Sequence, residues 1–144
     1  MRRIKQVLLV VFLVGLYLLP VTVVASEKNQ EVMIKPLYRQ LPIGVLAGEQ
    51  DPAIKTVFLV NGKDVYVDCL IRGVELKQEK AGATHHEGEG HYRLYLNDQH
   101  IDTLFQPSFV IEGLASGEHT IKVELVKNDR SSYDSEDVFN VTIP

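Results

Sequence analysis

The chain has no tryptophan and one cysteine in 144 residues. Cys69 alone cannot form an intrachain disulfide, so any core must hold without that cross-link. No window carries a sustained helical period, and no internal repeat is present. No glycine-rich phosphate loop opens a helix, and no serine lies in a nucleophile-elbow context. Basic residues are the minority: 15 Lys and Arg against 19 Asp and Glu, a formal net charge of −4. An acidic surface repels nucleic acid and anionic lipid headgroups and suits a cationic ligand or a metal better.

What is present starts at the N-terminus. Arg2, Arg3 and Lys5 precede the apolar run "VLLVVFLVGLYLLPVTVVA", which ends in small residues at Val23 and Ala25. This is a signal-peptide layout with cleavage after Ala25, and it predicts a secreted or extracytoplasmic protein at the cell surface or in the periplasm. The rival reading is an uncleaved membrane anchor, because the run approaches the length that spans a bilayer. The leader holds three of the basic residues and none of the acidic ones, so the exported part is the more acidic. That part is long enough for one domain with a core of its own.

Residues 26–52 begin polar and are punctuated by Pro36, Pro42, Gly44, Gly48 and Pro52. They read as a tether in which "EVMIKPLY" could form a short edge strand. From residue 53 to 144 the signals are all β. "IKTVFLV" is rich in β-branched residues, and "NGKD" is a turn. "VYVDCLIRGVEL" alternates, with Val65, Val67, Cys69 and Ile71 on one face and Gly73 at a bulge or strand end. After the polar loop "KQEKAGATHHEGEG", "HYRLYLND" sets Tyr92, Leu94 and Leu96 against His91, Arg93 and Tyr95. "HIDTLFQ", "SFVIEGL", "HTIKVELVK" and "VFNVTI" complete about seven strands, with "NDRSSYDSED" as a polar loop before the last. Short strands of period two with frequent turns predict an all-β sandwich whose apolar faces pack together.

The span from "VFLVNGKD" to "KNDRSSY" resembles small exported immunoglobulin-like or fibronectin-III-like domains. The run L-x-x-G-x-H-T-I-x-V, Leu114 to Val123, is similar to the turn into the sixth strand of such domains. The chain also resembles a group of bacterial exported domains with a "G-H-x-H-L-Y-x-D/N" strand and a later "N-D-H" loop. Some of that group look like metal-binding or copper-associated periplasmic proteins, which implies zinc or copper as a ligand. His91 and Asp129 match its pattern; Arg93 and Arg130 stand where it has histidines. An arginine cannot ligate a metal and repels it.

The sandwich order brings the loop before "HYRLYL" to the same end as the loop after "HTIKVELVK". His85, His86, Glu87, Glu89 and His91 would then lie near Asp129, Arg130, Tyr133 and Asp134. One reading is a zinc or copper site built from His85, His86, His91, Glu87, Glu89 and Asp129. The spacing is not the helical H-E-x-x-H of a metalloprotease, since "HEGEGH" carries two helix-breaking glycines. A second reading is a solvated loop, with His91 an outward residue at a strand's start. A third is a surface for an extracellular protein or glycan, anchored by Tyr66, Arg93, Tyr95, Arg130 and Tyr133. Catalysis has no supporting motif, so the chain is read as non-enzymatic. His119 reads as a structural residue at a turn, His100 as exposed, and Cys69 as a small buried hydrophobe.

Overall fold

The computed structural model describes residues 31–37 and 52–144. The expected signal peptide and most of the expected tether lie outside the described residues. Among the described residues nine strands form two sheets: β1 Met33–Pro36, β2 Ala53–Asn61, β3 Asp64–Arg72, β4 Glu75–Leu76, β5 Glu89–Leu96, β6 Gln99–Leu104, β7 Ser108–Glu112, β8 Gly117–Lys127 and β9 Ser132–Ile143. The first sheet has the order β1-β7-β3-β2; the second runs β4-β5-β8-β9, with β6 also paired to β5. The expected all-β sandwich is present.

Alternation drives the packing. Val65, Val67 and Cys69 point inward from β3, and Tyr92 and Leu94 from β5; all are 2 % exposed or less. Phe109 and Ile111 on β7, and Ile121, Val123 and Leu125 on β8, complete the same core. Each such buried apolar side chain contributes roughly 1.5–3 kcal/mol relative to exposure. The absence of a disulfide is thus offset by a continuous core between the sheets. Cys69 is buried among these residues. Burial, then the nearby carboxylates of Asp68 and Asp137, push its thiol well above the ordinary range, so it is inert at neutral pH.

Two local expectations need correction. "VYVDCLIRGVEL" is not one strand. β3 stops at Arg72, Gly73 turns the chain at φ +74°, and β4 joins the other sheet parallel to β5. The glycine permits a left-handed backbone there, and the chain changes sheets at it. The polar run after Lys127 is also not a long loop, because β9 begins at Ser132. Its polar side chains face solvent or the edge of the first sheet, so apolar alternation does not mark it. Ser135 Oγ accepts the Ile54 N–H at 3.1 Å, and Asp137 accepts the Thr56 N–H at 2.7 Å. Part of the segment read as a tether does belong to the sandwich, because β1 pairs antiparallel with β7.

Candidate functional site

His91, Arg93 and Tyr95 alternate along the outer face of β5, opposite to the buried Tyr92 and Leu94. The β5–β6 turn is made by Asn97 and Asp98, both at positive φ (50° and 65°). Two such residues match the twist of a tight hairpin. The return strand therefore sets His100 beside Tyr95, and a register shift between Leu94 and Tyr95 then sets Thr103 beside Arg93. At the far end of β5, Arg130 sits in the β8–β9 turn at φ 75°. A hollow of about 420 Å³ is lined by His91, Arg93 and Tyr95 from β5 and by His100 and Thr103 from β6. Arg130 and Ala81 close it from two loops.

The side chains of this hollow are held unevenly. The Tyr95 hydroxyl donates to Glu124 Oε2 at 2.9 Å, and Lys122 Nζ stands 4.3 Å from the centre of its ring. The His100 ring meets Tyr95 edge-on, and its Nε2 is 3.4 Å from Thr103 Oγ1. By contrast, the guanidinium groups of Arg93 and Arg130 make no hydrogen bond or ion pair with a described residue. His91 is 2 % exposed, and its Nδ1 is buried with no hydrogen-bond partner among the described residues. Its pKa is lowered by burial first, and then by the positive charges of Arg93 and Arg130.

The solvated, outward His91 expected from the sequence is therefore corrected. The residue is on the outer face, as its parity requires, but neighbouring groups such as Phe105 cover it; the two ring centroids are 5.5 Å apart.

The remaining loop residues build a different feature. Gly82 N–H donates to the Asn128 carbonyl at 2.6 Å, so the loop after β4 does meet the β8–β9 turn. Glu89 belongs to β5, and its Oε2 accepts from the buried Asn128 Nδ2 at 2.8 Å. The Tyr133 hydroxyl donates to the Glu89 carbonyl at 2.8 Å. Its ring packs over Gly90, where an added Cβ would stand 3.2 Å from Tyr133 Cε2. His85 meets the Tyr133 ring edge-on, with centroids 5.6 Å apart. His85, Glu87, Lys127 and Tyr133 line a second hollow of about 510 Å³. His86 is exposed. Asp129 is spent on its own turn, where Oδ1 accepts from the Ser131 N–H and hydroxyl. Those two bonds hold its carboxyl below the usual range.

The structure thus divides the six residues considered for zinc or copper. His91 lines the outer-face hollow, and His85 and Glu87 the other. Glu89 is bonded to Asn128, Asp129 to Ser131, and His86 faces solvent. Among the described residues, no three His, Cys, Asp or Glu side chains are grouped to hold a metal ion. Of the five residues considered as partner anchors, Arg93, Tyr95 and Arg130 share one hollow. Tyr133 braces the loop instead, and Tyr66 lies on the outer face of the other sheet, between the buried Val65 and Val67. Sequence reasoning missed His100 and Thr103 as lining residues. The Asn-Asp turn was the available signal, because a two-residue hairpin sets the register that brings His100 back to Tyr95.

Comparison with protein-family models, curated proteins and solved structures gave no match.

Proposed function

We propose that this chain is an exported, non-enzymatic β-sandwich module that binds an extracellular protein or glycan through the outer face of its second sheet. The carrying observation is that Arg93 and Tyr95, successive outward residues of β5, line one concave hollow together with Arg130. Arginine and tyrosine are common energetic anchors of interfaces, and they act best in recessed positions. Tyr95 is already oriented by Glu124, Lys122 and His100, so little side-chain freedom is lost when a ligand arrives.

The strand arrangement supports an immunoglobulin or fibronectin-III type. With β2, β3, β5, β6, β7, β8 and β9 taken as strands A, B, C, C′, E, F and G, one sheet holds A, B and E and the other C′, C, F and G. The leader supports export.

Two measurements test this reading. N-terminal sequencing of the protein recovered outside the cytoplasm should begin at Ser26; recovery from the cytoplasm with the leader intact would sink the export claim. The intact chain should bind a discrete set of spots on arrays of extracellular proteins and glycans. Replacing Arg93 and Tyr95 by alanine should remove that binding. Unchanged binding by a folded Arg93→Ala/Tyr95→Ala variant would move the surface elsewhere.

A further inference from the structure

We infer that the hollow over β5 is an oxyanion site, in which Arg93 and Arg130 hold the single carboxylate or phosphate group of a sugar-sized ligand. The inference rests on the reading of this face as the binding surface and adds the chemistry of what binds.

Four features carry it. First, two guanidinium groups line one hollow on a chain in which acidic residues outnumber basic ones, yet neither is paired with a described carboxylate. Arg93 lies opposite Glu124 in the strand register, but Glu124 Oε2 is engaged by the Tyr95 hydroxyl. Arginine's planar fork matches the paired oxygens of a carboxylate or phosphate.

Second, His91 lines the same hollow, and its buried Nδ1 has no partner among the described residues. A buried imidazole nitrogen with no hydrogen bond is costly, and such an atom in the wall of a hollow points to a use for the site.

Third, Arg130 is positioned by the backbone. Its residue adopts φ 75°, its N–H donates to the Lys127 carbonyl at 3.0 Å, and its guanidinium lies on the side of Gly82 where a side chain would stand. A Cβ on Gly82 would come within 3.4 Å of Arg130 Nη2, and Gly82 itself is at φ +83°.

Fourth, a volume of about 420 Å³ exceeds what a bare inorganic ion fills and falls in the range of small-molecule sites. Tyr95, His100 and Thr103 offer an aromatic edge and hydroxyl and imidazole groups to the rest of such a ligand. The net negative charge of the whole chain disfavours a long polyanion, whose other charges would meet acidic surface. One anionic group on an otherwise neutral, hydroxylated body satisfies both conditions.

The test is calorimetric titration of the intact chain at low salt with glucuronate, glucose 6-phosphate and uncharged glucose, alongside two-dimensional NMR. At least one charged sugar should bind one-to-one, with shifts concentrated at His91, Arg93, Tyr95, His100 and Arg130, while glucose does not bind. Glucuronate alone would make the site a carboxylate site, and glucose 6-phosphate alone a phosphate site. Arg93→Gln and Arg130→Gln should each weaken binding roughly tenfold or more, as loss of a charge-assisted contact requires, and Arg93→Lys should lose less. Glucose binding as well as the charged sugars would overturn the inference, as would affinity unchanged in both glutamine variants. If no sugar binds but the Arg93→Ala/Tyr95→Ala variant still loses its array partner, the oxyanion chemistry fails and the binding face survives. If neither behaves as expected, both fail together.

Discussion

Asp137 on β9 accepts both the backbone N–H and the hydroxyl of Thr56 on β2 through one carboxylate oxygen, at 2.7 and 2.6 Å. β2 and β9 belong to different sheets, so these bonds join the two sheets along one side of the sandwich. Asp137 Oδ1 also meets Lys55 Nζ at 2.8 Å, and Phe58 stacks on Phe139 at 4.4 Å further along the same pair of strands. An edge strand presents open N–H groups, and here a side chain satisfies one of them in place of another strand.

Replacing Asp137 by alanine should therefore destabilise the fold by about 1–2 kcal/mol. Burial works to raise the Asp137 pKa, but the bonds from Lys55 and Thr56 together outweigh it and hold the carboxyl below its ordinary value. The contribution is complete above the unfolded carboxylate pKa and is lost as pH falls through the lower folded value. Urea unfolding of the wild type and of Asp137→Ala at pH 7 and near pH 3 should show the gap narrowing in acid. A gap that widens there would contradict the assignment.

Gly90→Ala should cost more than its size suggests. An added Cβ would stand 2.3 Å from the Val126 carbonyl oxygen, a backbone atom of the paired strand that cannot swing aside. Overpacking of this kind costs about 1–3 kcal/mol. It would also displace Tyr133 from its bond to Glu89. Thermal unfolding, with tyrosine fluorescence as a second probe, reads both effects.

Tyr92→Phe should be neutral or mildly stabilising, although Tyr92 is fully buried. Its hydroxyl has no hydrogen-bond partner among the described residues. Burial, then proximity to Cys69, drive its pKa far upward, so it stays protonated. Removing an unsatisfied buried hydroxyl removes its desolvation cost while keeping the ring in place. A loss of more than about 1 kcal/mol in chemical denaturation would mean the hydroxyl is bonded after all.

His91 should resist protonation. Burial disfavours its imidazolium, and Arg93 from its own strand and Arg130 from the β8–β9 turn repel it. The unfolded residue takes up a proton at about pH 6.5, as histidine ordinarily does, and the folded one at a lower pH. Between those values the unfolded chain binds more protons, so this residue's contribution to stability falls as pH drops below about 6.5. Its loss is complete once the folded residue is also protonated. NMR titration of the histidine ring protons measures this directly. A bound anion should raise the His91 pKa; no change at saturation would count against an anion beside it.

Zinc and copper should bind the chain weakly and without one-to-one stoichiometry. His91 shares its hollow with two arginines, and His85 lies against Tyr133 in a different one. Sub-micromolar, saturable binding lost in a His85→Ala/His86→Ala/His91→Ala variant would overturn that expectation.

Much of the sandwich was legible in the chain. Alternation at Val65, Val67 and Cys69, and at Tyr92 and Leu94, reports a half-buried strand because side chains of a strand point to opposite faces. The same parity put Arg93 and Tyr95 outside, where they are found. It failed at β9, whose Ser135 and Asp137 serve hydrogen bonds to another edge; the strand end at Gly73 was legible, but not the chain's passage to the other sheet there. Pattern records which face a residue takes, but not what later covers that face, and so it does not report the burial of His91.

The candidate site shows the same division. Composition indicates an acidic chain and suggests a cationic ligand, because net charge sums over the whole surface. The local field is set by which charges share one hollow, and Arg93 and Arg130 are 37 positions apart in the chain. By itself, then, the sequence determined strand parity and an apolar core without disulfides, both of which depend on neighbours along the chain. Only tertiary structure decided that His91 is buried, that two arginines converge beside it and that His85 does not, because pairing between strands brings distant residues to one place.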